Sequence, residues 1–360
     1  MRSSAWLTTV LGLVFFAAPA RSRADEAMPK PIKITMVEGK DLTQWMHELA
    51  SPDASVREQA IRAIALITGP HGSEVIAALL VCAQDQKDVS VQVRAIQALT
   101  VIDVRNETPR VVKVMADRLV NDRETIVRFH AALCLSRFGP EARDAIPALI
   151  KGAEARSFET RRMSIRALEA CGYLAMPVAP GQHPLPDPQV TKALLNALRD
   201  PTGAVKLEAV IALGSMGPPD QRLQADVITS LSSMVGSKDH NISIWSLVSL
   251  MALQQEGPKE TWVKRLIDYT KGSEPQRVRL QAIHALTIVG VRVKTVVPRL
   301  IELLADKDEA VVTAACVALG MLQKGAAPAL EALKKVADSA TDKALKTIAQ
   351  DAIKYINSAP

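Results

Sequence analysis

The sequence predicts an all-α fold, an α-α superhelix built from about eight to nine stacked helical hairpins. Three observations predict it. One helical pattern recurs through most of the chain, a second apolar helical segment precedes each copy, and no long stretch alternates with the period of two that a sheet requires. The composition agrees, because 48% hydrophobic and 23% charged residues are typical of a globular protein and exclude wholesale disorder.

The first 24 residues are predicted to be a secretory signal peptide. A basic start precedes an apolar stretch, Ala5–Ala18, that is shorter than the roughly 20 residues of a membrane-spanning helix. Small residues allow cleavage after Ala20 or after Ala24, and we favour Ala24 because it leaves an acidic start. Residues 25–40 then form a linker, and we expect an exported protein, periplasmic or secreted, with no membrane span in its mature part.

The repeat begins at a residue in the first turn of a predicted helix, which we call the anchor. Successive anchors lie 33 to 45 residues apart, and a ninth, weaker copy begins near Leu345. The eight clear anchors are Val56, Val91, Val127, Thr160, Val205, Ile242, Val278 and Val311.

Side chains keep the same register in every clear copy. The residues four and seven positions after the anchor are small, and the residue eight positions after it is Ile or Leu. These positions share one face of a helix, and the small side chains let a neighbouring helix approach closely. One helix cannot bury such a face alone, so the repeats must stack into an array over about residues 41–357.

This pattern resembles the HEAT-repeat family, in particular the compact bacterial type related to phycobilin lyase repeats. The resemblance implies an α-solenoid that binds partners, usually other proteins. The residues that carry it include Val56-Arg57 with Ala60 and Ala63, Val127-Arg128 with Ala131, Val205-Lys206 with Ala209 and Ala212-Leu213-Gly214, and Val278-Arg279 with Ala282 and Ala285-Leu286.

One interval is longer than the others because it contains a proline-rich segment, residues 174–188. Five prolines between Pro177 and Pro188 prevent a helix there. We interpret the segment as a stiff spacer between the fourth and fifth repeats, with a binding loop or a hinge as the alternative.

Charged residues recur at the starts of the repeat helices. An acidic residue stands three positions before five of the anchors, for example Asp53, and a basic residue stands one position after five of them, for example Arg57. An acidic side chain at a helix N-terminus accepts backbone N–H hydrogen bonds. We therefore predict a structural ladder that ties the turns of the repeats together, rather than catalytic groups.

No catalytic or metal-binding motif stands out in the sequence, so we predict a protein that is not an enzyme and has no cofactor. His47-Glu48 is a single dipeptide, whereas the HEAT-like deoxyhypusine hydroxylases use several His-Glu dipeptides to hold two irons. The alternative is a lyase-like or other cryptic enzyme on a HEAT scaffold. We expect Cys82, Cys134, Cys171 and Cys316 to be small buried residues, because their spacings fit no metal or haem motif.

The expected partner is a protein or peptide bound on the concave face, which the family resemblance assigns to the second helix of each repeat. We placed this face two and six positions after the anchor, where the central repeats are mostly apolar and an arginine patch flanks them. The alternative is that tight curvature buries these positions against neighbouring helices. The predicted partner-binding residues are Phe129, Arg162, Arg166, Leu207, Ile211, Ile244, Trp245, Val248 and Leu280.

Nucleic acid is not expected as a partner, although the net charge of the whole chain is +6. Three arginines and no acidic residue lie in the first 24 residues, so cleavage after Ala24 leaves 41 basic and 38 acidic residues, a net charge of +3. Aromatic residues, which stack on bases, make up only 3% of the chain.

Overall fold

The structure, a computed structural model, describes residues 33–67, 72–173, 185–253, 259–290 and 295–358. The predicted signal peptide, the linker as far as residue 32, and residues 174–184 of the proline-rich segment lie outside the described residues. None of the described helices is long and apolar enough to cross a membrane.

Nine helical hairpins follow one another through the described residues, which confirms the predicted α-α superhelix. We number the α-helices in chain order, so that odd numbers are the first helices and even numbers the second helices of the hairpins. They are α1 (Leu42–Glu48), α2 (Ala54–Leu66), α3 (Ser73–Cys82), α4 (Val89–Val101), α5 (Thr108–Asn121), α6 (Thr125–Phe138), α7 (Ile146–Gly152), α8 (Phe158–Cys171), α9 (Pro188–Ala197), α10 (Gly203–Met216), α11 (Gln221–Met234), α12 (His240–Leu253), α13 (Lys259–Asp268), α14 (Gln276–Val289), α15 (Val296–Leu303), α16 (Glu309–Met321), α17 (Leu330–Ser339) and α18 (Lys343–Ser358). Short 3₁₀ helices occupy Arg105–Glu107, Gly139–Ala145 and Gln323–Ala329.

Each anchor, including the ninth at Leu345, is the third residue of an even-numbered helix. Even-numbered helices of neighbouring repeats pack against each other more extensively than odd-numbered helices do. The even-numbered helices therefore form the inner layer, and the array is concave on their side.

The core lies where the register predicted it. The residues four positions after the eight clear anchors are all completely buried, and the Ile or Leu eight positions after them is exposed by 1% or less. The large side chain fills the layer between two repeats, and the small one lets the helices pack closely.

A β-hairpin closes the N-terminal end of the array. Strand β1 (Met36–Val37) pairs antiparallel with β2 (Lys40–Asp41), so the last residues of the predicted linker are part of the fold. The indole Nε1 of Trp45, which is completely buried on α1, donates to the carbonyl oxygen of Val37 at 3.1 Å. The hairpin thereby covers the aromatic core of the first repeat.

The last described helix, α18, is polar on the side where the other inner helices pack against the next repeat. In α18, Gln350 stands five positions after the anchor and is exposed, as are Thr347 and Lys354 on the same side of the helix. At the equivalent position the other inner helices carry buried apolar residues that contact the next repeat. These are Ile61, Ile96, Ala132, Ile165, Val210, Leu247, Ile283 and Cys316.

The charged ladder links repeats, as predicted, but through partners distant in sequence. Arg161 donates Nε and a terminal nitrogen to the two carboxylate oxygens of Asp200 in the next repeat, at 2.6 and 2.9 Å. Arg57 pairs with Asp88, and Arg279 with Asp306, each through one terminal nitrogen and one carboxylate oxygen of the next repeat. Each arginine also donates to main-chain carbonyl oxygens of the turn before its own helix. Arg57, Arg161 and Arg279 therefore connect adjacent turns, whereas Arg128 donates only within its own turn and helix start.

Several acidic residues of the ladder cap helices, as predicted. Asp53 accepts a hydrogen bond from the backbone N–H of Ser55 at 2.8 Å, and Asp308 accepts one from Ala310 at 3.0 Å. Asp88 stands at the corresponding position of α4 but makes no such hydrogen bond, and its carboxylate binds Arg57. Capping and pairing are thus alternative uses of the same position.

Candidate functional site

Three positions of each inner helix lie on the concave side: three, six and ten positions after the anchor. They form one stripe along the helix, and in most repeats their side chains are half-buried or exposed. The position ten residues after the anchor lies one helical turn beyond position six, on the same side of the helix. It is not among the predicted partner-binding positions.

Three successive inner helices, α12, α14 and α16, have no charged concave side chain. From two positions after the anchor to the end of each helix there is no Asp, Glu, Lys or Arg. We call their concave surface the uncharged face. Its accessible side chains are Trp245, Ala252, Gln281, His284, Ile288, Ala314, Val317 and Met321. In the earlier repeats the same three positions include Arg62, Arg94, Arg137, Arg166 and Glu208.

Large apolar side chains are exposed along one edge of the uncharged face and on the next helix. Ile288, Met321 and Tyr355 stand ten positions after their anchors on α14, α16 and α18 and are 55%, 47% and 53% exposed. We call these three residues the apolar edge. Leu66 and Val101 occupy the same position on α2 and α4 and are similarly exposed, but the concave positions of those two helices include Arg62 and Arg94.

Trp245, Gln281 and His284 carry the polar groups of the uncharged face, and two of these groups are hydrogen-bonded to each other. The indole Nε1 of Trp245 donates to Oε1 of Gln281 at 3.0 Å, and its ring meets the ring of His284 edge-on at 5.4 Å. Thr287 and Thr313 donate their hydroxyls to carbonyl oxygens of their own helices, both at 2.8 Å. The face therefore offers mainly apolar contact.

Burial lowers the pKa of His284 below its ordinary value, which keeps the imidazole neutral at pH 7. Burial, together with the charge of Arg94, also lowers the pKa of His130 on α6. Neutral His284 is consistent with a face that has no ionised side chain.

The free energy of unfolding should fall as the pH is lowered from 7 to 5, in part because of these two histidines. The unfolded chain takes up protons near pH 6.5, before the folded protein does. The stabilisation is thus fully present above that pH and is lost between it and the folded-state pKa values, with a slope of at most about 1.4 kcal/mol per pH unit per histidine. Urea unfolding at a series of pH values measures the slope. The His130→Gln/His284→Gln variant should show a shallower slope, and an unchanged slope would contradict the prediction.

Two of the predicted partner-binding residues are wrong as surface residues. Ile244 is completely buried and Val248 is 9% exposed, because α12 is apolar on all sides and packs into the core along most of its circumference. The alternative of burial by neighbouring helices therefore holds for these two. Half-buried positions on the inner layer are found for Phe129, Leu207, Ile211, Trp245 and Leu280.

The arginine patch predicted beside the groove is largely neutralised. Arg161 is paired with Asp200, and Nε of Arg166 lies 2.7 Å from a carboxylate oxygen of Glu208. Arg162 is half-buried near Glu159, whose carboxylate it helps to keep ionised. Arg161 and Arg166 are thus part of the inter-repeat pairing, and they do not flank the groove as free positive charges.

The four cysteines are buried, as expected, and the structure pairs none of them. Burial raises the pKa of the Cys134, Cys171 and Cys316 thiols to about 12. Over the described ranges no group of three or more His, Cys, Asp or Glu side chains is arranged to hold a metal ion. A crevice of about 560 Å³ lies in the outer layer, between α7 and α9.

One family model matches the chain. The family model described as HEAT repeats matches residues 40–136 and 263–354, together more than half of the chain. A solved engineered protein shares 21% identity, with 89% of each chain covered and a TM-score of 0.41. The crystal structure of YibA from Escherichia coli shares 16% identity over 88% of this chain and 92% of that chain, also with a TM-score of 0.41. No curated protein matches the chain.

The family model matches both ends of the array, and the nine hairpins continue between the matched regions with the same register of small and large residues. This chain belongs to the HEAT-repeat family.

Proposed function

We propose that this protein is an exported scaffold without enzymatic activity that binds a segment of another protein on its concave side. The observation that carries the proposal is the uncharged face with its apolar edge. Ile288, Met321 and Tyr355 are each about half exposed at equivalent positions of adjacent inner helices, and exposed apolar side chains grouped beside an uncharged surface are typical of interaction sites.

The apolar edge provides a sizeable part of the binding free energy. Complete burial of a large apolar side chain stabilises by roughly 1.5–3 kcal/mol. Covering the exposed half of the three residues contributes on the order of 3 kcal/mol by the same relation, before Trp245 and Val317 are counted. A partner that leaves the edge uncovered would lose this contribution.

Replacing the apolar edge by serine tests the binding site. The Ile288→Ser/Met321→Ser/Tyr355→Ser variant should keep its helical signal and its cooperative melting, since the three side chains are exposed. As bait in an extract of exported proteins, it should lose the proteins that the unaltered chain retains.

The matched control is Leu66→Ser/Val101→Ser, which removes equally exposed apolar side chains from the same helical position at the other end of the array. This variant should retain the same proteins as the unaltered chain. If the two variants behave alike, or if the unaltered chain retains no protein that the first variant loses, the proposed site is wrong.

Export is supported by the sequence of the first 24 residues. Cell fractionation should place the protein outside the cytoplasm, and N-terminal sequencing of the mature chain should begin at Asp25 or at Arg21. A cytoplasmic protein that still begins at Met1 would contradict this part of the proposal.

A further inference from the structure

We propose that the uncharged face binds a single amphipathic α-helix of the partner protein rather than an extended segment. The inference rests on the proposed function and specifies the conformation and chemistry of the partner segment. It follows from what the face can and cannot offer to an incoming backbone.

An extended segment that binds along a surface needs hydrogen-bond partners for its own backbone N–H and C=O groups. Burying these groups away from water without a partner makes the free energy of binding less favourable. The uncharged face is built from helices, whose backbone groups are already paired within each helix. Its side chains supply little more, since Gln281 and His284 are the polar ones besides Trp245, and Oε1 of Gln281 already accepts from the indole Nε1 of Trp245.

A helix does not have this requirement, because its backbone hydrogen bonds are internal. It can present a continuous apolar stripe with side chains three, four and seven residues apart. Seven residues of helix rise about 10.5 Å, close to the 8–10 Å between packed helix axes. One stripe can therefore meet α14, α16 and α18 in turn and cover Ile288, Met321 and Tyr355.

Charge defines the bound side of this helix. A carboxylate or ammonium group pressed onto α12, α14 or α16 would be desolvated without an opposite charge, since these helices carry no concave charged side chain. Where it contacts α14 and α16 the bound stripe is therefore uncharged and apolar. Only at α18 does it pass a charged concave residue, the exposed Asp351, and the other charges of the partner helix lie on its exposed side.

Two displayed peptide pools of 21 residues and identical composition test the inference. In one pool apolar residues follow a heptad pattern, and in the other they alternate with polar residues. The heptad pool should be enriched on the full-length protein, and an enriched peptide should gain helical circular dichroism on binding. Its affinity should fall at least tenfold when a central residue is replaced by proline, and at least tenfold on the Ile288→Ser/Met321→Ser/Tyr355→Ser variant, but not on Leu66→Ser/Val101→Ser.

Other outcomes separate this inference from the proposed function. Enrichment of the alternating pool, or binding that proline does not weaken, would overturn the helix inference and leave the binding site in place, provided that the serine variant of the apolar edge still loses binding. Peptides that bind both serine variants equally would overturn the site and the inference together. Failure of both pools to enrich would overturn the inference alone, because protein capture tests the site independently.

Discussion

Asp200→Asn should lower the free energy of unfolding by about 3 kcal/mol, because it leaves the guanidinium of Arg161 without its counter-charge. The two side chains are only 13% and 8% exposed, so solvent screens the lost interaction weakly. Burial by itself would raise the pKa of Asp200, but the hydrogen bond from Arg161, the backbone N–H of Thr202 and the arginine charge together hold it below its ordinary value. Urea unfolding monitored by circular dichroism measures the loss.

A double-mutant cycle with Arg161→Met separates the pair from other effects. Once the charge of residue 161 is removed, Asp200→Asn should cost much less, and the difference is the coupling energy of the pair. The exposed pair of Arg299 and Glu302 is the control, since Glu302 is 65% exposed and Glu302→Gln should change stability by less than about 1 kcal/mol. A cost for Asp200→Asn that is equally small would show that the ladder does not join the repeats.

The Asp200 carboxylate also makes stability depend on pH, with the sign fixed by its lowered pKa. The contribution of the ionised carboxylate to the free energy of unfolding is fully present above the ordinary aspartate pKa of about 3.9. It is lost as the pH falls through the lower pKa of the folded state. Asp306, which Arg279 holds in the same way against the effect of burial, contributes in the same direction. The Asp200→Asn variant should therefore lose less stability than the unaltered chain below pH 4.

Periodicity alone was sufficient to predict the fold. Each repeat must pack against its neighbours, so the same positions are small in every copy. For the same reason the position eight residues after the anchor is always Ile or Leu, such as Ile64 and Leu319. The N-terminal β-hairpin could not be predicted in this way, because it occurs once. The partners of the ladder arginines could not be predicted from the sequence either. The number of residues between Arg161 and Asp200, for example, depends on the length of the segment that connects the two repeats.

The binding face was predicted in part. Trp245 and Leu280 were correctly assigned to the inner layer, but the choice of positions two and six after the anchor placed Ile244 and Val248 on the surface, and both are buried. Position two turns towards the next inner helix, which explains Ile244. Position six belongs to the concave stripe with positions three and ten, but Val248 is buried there by the packing of α12 into the core. The missed signal was available in the sequence, because α12, α14 and α16 lack charge beyond their first turns, and residues such as Met321 recur at position ten.

Gly214→Ala should destabilise the protein by about 1–3 kcal/mol, the reverse of the usual effect of this substitution within a helix. Replacing an interior glycine by alanine normally stabilises a helix by roughly 0.5–1 kcal/mol. At Gly214 on α10, however, a Cβ atom would stand 2.3 Å from Oγ, 2.5 Å from Cβ and 2.8 Å from Cα of Ser249 on α12. The last contact is with backbone, so the two inner helices would have to move apart and would also break the 2.9 Å hydrogen bond from Ser249 to the carbonyl oxygen of Val210.

Two further variants show whether close approach of the helices is the cause. Gly236→Ala adds a methyl group where nothing lies within 4 Å, so its melting temperature should be unchanged or slightly raised. In Gly214→Ala/Ser249→Gly the contacts with the serine side chain disappear, but the contact with Cα remains, so only part of the lost stability should return. If Gly214→Ala is as stable as the unaltered chain, the inner helices of the fifth and sixth repeats do not pack at this distance. An unchanged stability of Gly214→Ala would also contradict the inference that the small residues of the repeat allow neighbouring helices to pack closely.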